Sequence, residues 1–440
     1  MTEQYTAFWF RRDLRLNDNH GLYQALTSGQ PVLPVFIFDK HILDDLPETD
    51  ARVSFIHQVL TNMNQQLVEL GSSLVVRYGS PEEVWPSLIQ DYSISKVITN
   101  HDYEPYARER DDQMHEWLSS EGIVFSTFQD QVIFEKEEIL TNAGKAYSVF
   151  TPYSKKWKAS LTQDRISAYP TEQHVSRFAN LTPQPIPSLA EMGFQPSDIV
   201  FPGSEADPDV IKVYDQKRNF PAQPGTTRLG VHLRFGTISI RQLARDAMKL
   251  NETYLNELIW REFYMQILWN FPHVAKGPFR PQYGLIEWRN NEEDFRKWCD
   301  GKTGYPIVDA GMRELNATGY MHNRVRMIVA SFLTKHLLIN WQWGEAYFAE
   351  KLLDFELASN NGGWQWAAGS GTDAAPYFRV FNPESQMKKF DPELKYVRRW
   401  VPEFGTPAYP QPMVDHKMAR QRCLDTYQIA LKGKGQSGKA

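Results

Sequence analysis

The spacing of hydrophobic positions changes character once along this chain. Up to residue 128, short β-branched and aromatic runs at 7–10, 32–38, 74–77, 96–100 and 124–128 alternate with stretches of helical period, a pattern that predicts strands separated by helices. Between the second and third runs, Val53, Ile56, Leu60, Met63, Leu67 and Leu70 recur at intervals of three and four. That spacing lays one apolar stripe along a helix, which Gly71 closes. Ser80, Pro81 and the pair Glu82 and Glu83 read as an N-cap, a first-turn proline and acids matched to the positive end of a helix. Together these elements predict a parallel α/β domain.

The alternation breaks over 151–208, which holds Pro183, Pro185, Pro187, Pro196, Pro202 and Pro208; a domain boundary belongs there. Beyond it the period is helical: 255–271 stops at Pro272, Pro306 opens a helix reaching 316, and 321–338 follows. The expected organisation is an α/β domain over 1–135, a connector over 136–208, a helical domain over 209–425 and a flexible tail over 426–440. No repeat or low-complexity tract interrupts it. The last eight residues, GKGQSGKA, fall one residue short of a phosphate-binding loop, because Ala440 stands where a Ser or Thr is needed and no helix follows to hold an anion.

Composition narrows the class. A chain of 440 residues with 42% hydrophobic content has room for two cores and is not disordered. The start, MTEQYTAFWF, has no secretory pattern, and apolar stretches such as 327–333 are too short to span a bilayer, so a soluble, cytoplasmic protein is expected. Two cysteines, Cys299 and Cys423, build neither a disulfide framework nor a metal site. The net charge of -5 gives no general reason to expect nucleic acid, but its distribution does. Between Asp215 and Asp246 there is no acid, yet Lys217, Arg218, Arg228, Arg234, Arg241 and Arg245 occur; a second acid-free window, 315–344, holds Arg324, Arg326 and Lys335. Windows of this kind suit phosphate or form a solvated face.

Four stretches carry candidate chemistry. In PGTTRLGVHLRFGTISIRQL (224–243), Thr226 and Thr227 offer hydroxyls, Gly225 and Gly230 expose amides and Arg228 adds charge; this suits a diphosphate, and equally a capped helix start. In NELIWREFYMQILW, Glu257 and Arg261 lie four apart, as do Trp260 and Tyr264, giving adjoining ionic and aromatic rows. In MHNRVRM, Asn323 and Met327 share a helix face beside Arg324 and Arg326; a polar Asn323 on an interior helix requires a partner, which a ligand can supply. In NNGGWQWAAGSGTDAAPYFR (360–379), Trp364 and Trp366 sit among residues too small to form a core of their own. After the first strand stands WFRRDLRLNDN rather than a glycine-rich dinucleotide fingerprint.

These motifs, with FWFRRDLRLNDN, LIWREFY, KTGYPIVDAGMRELNATGYMHNRVRM and NNGGWQWAAGSGTDAAPYFRVFNP, resemble the photolyase and cryptochrome family, most closely its class I cyclobutane pyrimidine dimer photolyases. The likeness runs from Ala7 to Phe404. It implies a five-stranded parallel, Rossmann-like antenna domain followed by an all-helical domain binding FAD, active as the reduced anion. The matching cofactor positions are Tyr214, the loop Thr226, Thr227, Arg228, Leu229 and Gly230, then Arg261, Arg326, Asp354, Glu356, Asn360 and Arg379. Asp354 beside Arg379 would form a buried ion pair, and Asn360 would face flavin N5. Family members often carry Ser in place of Gly230 and a Gly-Asp pair in place of Phe355 and Glu356. By the same resemblance Trp364, Trp341 and Trp288 form an electron-transfer chain to the surface. Trp260 and Trp366 would stack on a flipped-out dimer, Glu257, Asn323 and Met327 line its pocket, and Arg218, Arg324 and Gln386 touch DNA.

The implied activity is light-driven repair of cyclobutane pyrimidine dimers by a monomer, with a blue-light photoreceptor as the alternative. Within the family, (6-4) photolyases carry histidines where Asn323 and Met327 stand, plant-type cryptochromes carry Asp at Asn360, and the DASH type commonly carries Tyr at Trp366; this chain departs from all three. A second, light-harvesting chromophore is a family option whose identity is left open, and Tyr106 with Ala107 differs from the Asn and Glu of many folate-binding relatives.

Overall fold

The computed structural model describes residues 4–432, so the near phosphate loop at 433–440 lies outside the described residues. In chain order the principal elements are β1 (Tyr5–Phe10), β2 (Val32–Asp39), α1 (Ala51–Glu69), β3 (Val75–Gly79), α2 (Pro81–Asp91), β4 (Ile94–Asn100), α3 (Pro105–Ser120), β5 (Val124–Phe128), α4 (Phe150–Ser160), α5 (Ile240–Leu250), α6 (Glu252–Asn270), α7 (Pro306–Thr318), α8 (Asn323–Ser331), α9 (Trp341–Lys351), α10 (Leu357–Ala368) and α11 (His416–Lys432). They fall into two compact units. The first comprises the chain up to Glu135 with Ser160–Ala206 and Arg228–Met248, and the second Lys136–Ala159, Asp207–Thr227 and the chain from Lys249 on.

The first unit is built on a five-stranded parallel sheet of order β3-β2-β1-β4-β5. Every residue of β2 is buried, as are all but one of β1. Strands covered on both faces lose the in-out alternation, which is why they read as continuous apolar runs. All five predicted strands are present, each within two residues at either end. In α1, Val53, Leu60, Met63 and Leu67 are buried as the stripe predicts, while Leu70 is exposed and Phe55 takes a core place the stripe left out. Ser80 is the N-cap of α2, without a side-chain capping bond.

The basic window at 216–245 is mostly spent inside this unit. The Arg241 guanidinium donates to Asp18 at 2.8 Å and to Asp130 at 2.8 Å, and Arg15 donates to Asp130 at 2.7 Å, all buried. Arg234 pairs with Glu104 at 2.9 Å, and Arg245 donates to the carbonyl of Ile166. A lack of nearby acids in sequence therefore says little about phosphate, because acids distant in the chain neutralise these arginines.

The second unit is helical. Its core gathers Trp298, Ile307, Met312, Val325, Val329, Phe332, Leu333, Trp341, Phe348, Trp364 and Val397. The stretch expected as one helix over 321–338 is in two parts: α8 begins at Asn323 behind the N-cap His322, and Phe332–His336 forms a π-helical turn. Lys335 lies in that turn, buried, its Nζ donating to the carbonyls of Ala368 at 2.9 Å and Tyr377 at 3.3 Å. Burial pulls this lysine down to about 8; it is internal structure, not part of a phosphate face. The expected connector does not stand apart either, since 136–159 packs with the helical unit and 160–206 with the sheet unit. The expected tail is helical through Lys432. No helix among the described residues is long and apolar enough to cross a membrane.

Candidate active site

Helices α6, α8, α9 and α10 of the second unit surround a cavity of about 380 Å³, within the range of small-molecule sites. Helix α6 contributes Glu257, Trp260, Arg261 and Tyr264, a row at intervals of three and four that places four functional side chains along one side. Helix α10 contributes Asn360, Gly363, Trp364 and Trp366, and α8 contributes Asn323, Arg326 and Met327. Asp354, Phe355 and Glu356 come from the bend between α9 and α10, and Arg218 completes the wall.

Two ion pairs line the cavity. Arg261 Nη2 donates to Glu356 Oε1 at 3.0 Å, and Arg326 donates to both oxygens of Asp354, at 3.1 and 2.9 Å. The expected partner of Asp354, Arg379, is elsewhere: it is exposed, beyond a turn in which its N–H donates to Pro376 O, with its guanidinium 5.4 Å from the Phe381 ring centre. Arg326 takes its place because α8 carries it inward and Met321 O, at 2.7 Å, fixes the guanidinium. Arg218 pairs with Glu257 at the cavity wall. Burial outweighs the attraction of Arg218 there and raises the Glu257 carboxyl above its ordinary value.

The Asn360 amide has its orientation dictated. Its Nδ2 donates to the backbone carbonyl of Glu345 at 3.1 Å; a carbonyl only accepts, so the amide nitrogen faces α9 and Oδ1 turns the other way. The next residue, Asn361, donates to Glu345 Oε1 at 3.0 Å. With burial as the leading cause, the Glu345 carboxyl is pushed up to about 7.

The two tryptophans of WQW have different surroundings. Trp364 is 2% exposed, edge-on to Phe348 at 5.0 Å and to Trp298 at 6.0 Å. A Cβ on Gly344 would stand 2.1 Å from its ring, so that position admits only glycine without displacing the indole. Trp366 is half-buried on the cavity wall. The small residues of this motif serve packing as well as space, for a Cβ on Gly362 would meet the Tyr264 ring at 2.1 Å, whereas one on Gly363 would meet nothing within 4 Å. Asn323 is exposed at the first turn of α8 and is not the buried polar group expected from its helix.

Beside the cavity, Thr227 Oγ1 and the Tyr254 hydroxyl lie 2.8 Å apart, Thr226 Oγ1 and the Tyr320 hydroxyl 3.3 Å, and the Arg326 guanidinium lies 5.9 Å from the Tyr320 ring centre. Tyr214 is edge-on to Tyr254 at 5.0 Å, with Arg218 over its ring at 5.2 Å. Gly225 is required by close approach, since a Cβ would stand 2.7 Å from Lys217 O. Arg228, Leu229 and Gly230 belong to the sheet unit, Arg228 in a left-handed conformation with φ 55°.

Comparison with known proteins now adds to this geometry. Residues 6–173 match the family model described as DNA photolyase, and residues 254–407 that described as the FAD binding domain of DNA photolyase. The chain belongs to the DNA photolyase family. Deoxyribodipyrimidine photo-lyases of Halobacterium salinarum and Escherichia coli are 38% and 36% identical to it, with 96% and 97% of this chain and 98% and 99% of theirs covered. A class III photolyase from Agrobacterium tumefaciens superposes with a TM-score of 0.88 at 34% identity, covering 98% of each chain. A photolyase from Sulfolobus tokodaii with two FAD molecules superposes at 0.81 and 34%, over 96% of this chain and 99% of that one.

Among the family positions predicted for this photolyase-family chain, twelve line the cavity, from Arg218 through Trp366. Arg324 and Gln386 lie off it. Arg324 donates to Asn219 Oδ1 at 2.7 Å and lies 4.5 Å from the Phe390 ring centre. Burial, then the positive charges of Arg218 and Arg379, lower its pKa. Trp341 is buried in the same core as Trp364, and Trp288 is only partly buried at its margin. The ring neighbours of Trp364 are Phe348 and Trp298 rather than Trp341. Sequence reasoning missed Trp298, Phe348 and Glu345; their positions carry no distinguishing spacing, and only tertiary contact brings them to the site.

Proposed function

We propose that this chain repairs cyclobutane pyrimidine dimers in DNA by light-driven electron transfer, with FAD held in the cavity of the helical unit. The observation that carries the reading is that one cavity is lined both by an amide of dictated orientation, Asn360, and by Trp260, Trp366 and the Arg218–Glu257 pair. The donor set fits the cofactor: the Thr226 and Thr227 hydroxyls beside the cavity suit its diphosphate, and Asn360 Oδ1 is free to accept from an N–H on the flavin ring. When bound as the reduced anion, FAD supplies the absorption of light and the electron that opens the cyclobutane ring.

The protein's own groups do the rest. Trp260 and Trp366 offer indole faces for a nucleotide turned out of the duplex, as photolyases as a class turn out their targets. Asn323, Met327 and Glu257 line the same space, with Glu257 held in place by Arg218. Arg218, Arg324 and Gln386 contact the DNA backbone. Trp364, Trp341 and Trp288, in order of decreasing burial, carry an electron inward from the surface to reduce oxidised flavin. An antenna chromophore of unassigned identity is compatible with the sheet unit, as the second FAD of the Sulfolobus relative illustrates.

The test is light-dependent restoration of thymine absorbance in an oligonucleotide containing one cyclobutane dimer, using chemically reduced enzyme, beside a (6-4) substrate and dark controls. Repair of the cyclobutane dimer alone is expected. No repair of either lesion by FAD-loaded protein would move the assignment to a blue-light photoreceptor.

A further inference from the structure

Trp260 is not a free-standing indole. The ring of Phe150, the first residue of α4, lies parallel to it with 3.8 Å between centroids and 5° between planes. Phe263 closes the assembly edge-on to both, at 5.8 Å from Phe150 and 5.5 Å from Trp260. A stacked partner on one face, a perpendicular wall and the Tyr264 ring, tilted by 35° at 5.5 Å, leave the indole a single plane to occupy.

Phe150 is itself held by the loop that follows α10. Its N–H donates to Asp373 Oδ2 at 3.1 Å, and Asp373 has φ 45°, the left-handed conformation that Asp adopts more readily than most residues other than glycine. Next to it, Thr372 Oγ1 donates to Ser148 O. The loop bearing Thr372 and Asp373 follows directly from α10, which carries Trp366. On both sides of Phe150 the segment is tied to α6, the helix of Trp260: within α4, Trp157 Nε1 donates to Glu262 at 2.6 Å, and just before α4 the carbonyl of Tyr147 accepts from Gln266 Nε2 at 2.8 Å. A continuous chain of contacts thus runs from the helix of Trp366 through Asp373 and Phe150 to the indole of Trp260.

We propose that Phe150, anchored by Asp373, is a positioning residue that fixes the Trp260 plane and its separation from Trp366, leaving one indole face for the flipped-out pyrimidine. The inference rests on the dimer-repair reading. The stack becomes Phe150, Trp260, base, and discrimination between a lesion and undamaged DNA depends on a phenyl ring that the base never touches.

The experiment uses FAD-loaded wild type, Phe150→Ala, Phe150→Tyr and Asp373→Ala, each labelled with 5-fluorotryptophan, the Trp260 resonance being assigned by its loss in Trp260→Phe. In DNA-free protein, Phe150→Ala and Asp373→Ala should shift or broaden the Trp260 fluorine line, and Phe150→Tyr should restore it. In the dark, Phe150→Ala should lower the preference for a dimer-containing over an undamaged oligonucleotide by about 2- to 10-fold, the range of one aromatic pair, with undamaged affinity unchanged. A Trp260 line unmoved by Phe150→Ala, or an unchanged preference, overturns the proposal. If Phe150→Ala does not fold, Asp373→Ala is read by the same criteria. Wild type that shows the fluorine response but no preference for the dimer would sink the repair reading, and would leave the indole clamp standing as structure alone.

Discussion

Glu345 offers a quantitative test of the architecture behind Asn360. Its carboxyl accepts from Asn361, its backbone carbonyl accepts from Asn360, and burial raises it from 4.5 to about 7 with only the Asn361 bond opposing. At about 1.4 kcal/mol for each pH unit, keeping the ionised form folded costs about 3 kcal/mol relative to the unfolded chain, and its partial exposure trims this to about 2 kcal/mol. The sign follows from the folded state holding the proton more tightly: stability from this group is complete below the unfolded value of 4.5 and is lost as pH rises through about 7. Glu345→Gln retains an acceptor for Asn361 and the backbone carbonyl for Asn360 while removing the titration. Urea unfolding of FAD-loaded wild type and variant at about pH 5 and about pH 8.5 cancels every other titrating group in the difference. Wild type should lose about 2 kcal/mol relative to Glu345→Gln between the two conditions. A gap constant to within about 0.5 kcal/mol would mean that Glu345 is already ionised at low pH and that its environment has been misread.

Further outcomes are expected at the cavity and its rim. Trp364→Phe should abolish photoreduction of oxidised flavin but spare repair by chemically reduced enzyme, measured by flash absorption beside the oligonucleotide assay; loss of both would contradict a role confined to electron supply. Arg326→Met strands Asp354 without its guanidinium and should weaken FAD retention by about 2 kcal/mol, roughly thirtyfold; equilibrium dialysis giving unaltered affinity would remove the pair from the cofactor site. Arg324→Ala should reduce the slope of log binding constant against log salt by about one phosphate contact, and an unaltered slope would detach Arg324 from DNA.

The sheet was legible because its central strands are buried on both faces, leaving continuous apolar runs such as 32–38 bounded by turns. The row from Glu257 to Tyr264 was legible for the same reason, since helical spacing alone puts these side chains together. What escaped depends on distance in sequence. The segment 136–208 reads as a connector, yet its first part, 136–159, supplies Phe150 to the helical unit because Gln266 and Asp373, more than a hundred residues later, bind its backbone. Asp354 turned to Arg326 because the backbone bend beyond Pro376 carries Arg379 outward, an effect of turn geometry that charge patterns do not encode. Acid-free windows misled most, because Arg241 finds Asp18 from 223 positions away.

That last pairing bears on how the polypeptide must be made. Asp18 and Asp130 leave the ribosome long before Arg241, which belongs to the same compact unit through the segment Arg228–Met248. Until that segment emerges, a nascent sheet would hold two carboxylates with only Arg15 to neutralise them, an arrangement that burial penalises heavily. Between the two contributions the ribosome delivers Lys136–Ala159 and Asp207–Thr227, which belong to the other unit. Synthesis therefore interleaves the two folding problems, and the Asp18 and Asp130 carboxylates gain Arg241 only once more than half of the polypeptide has been translated.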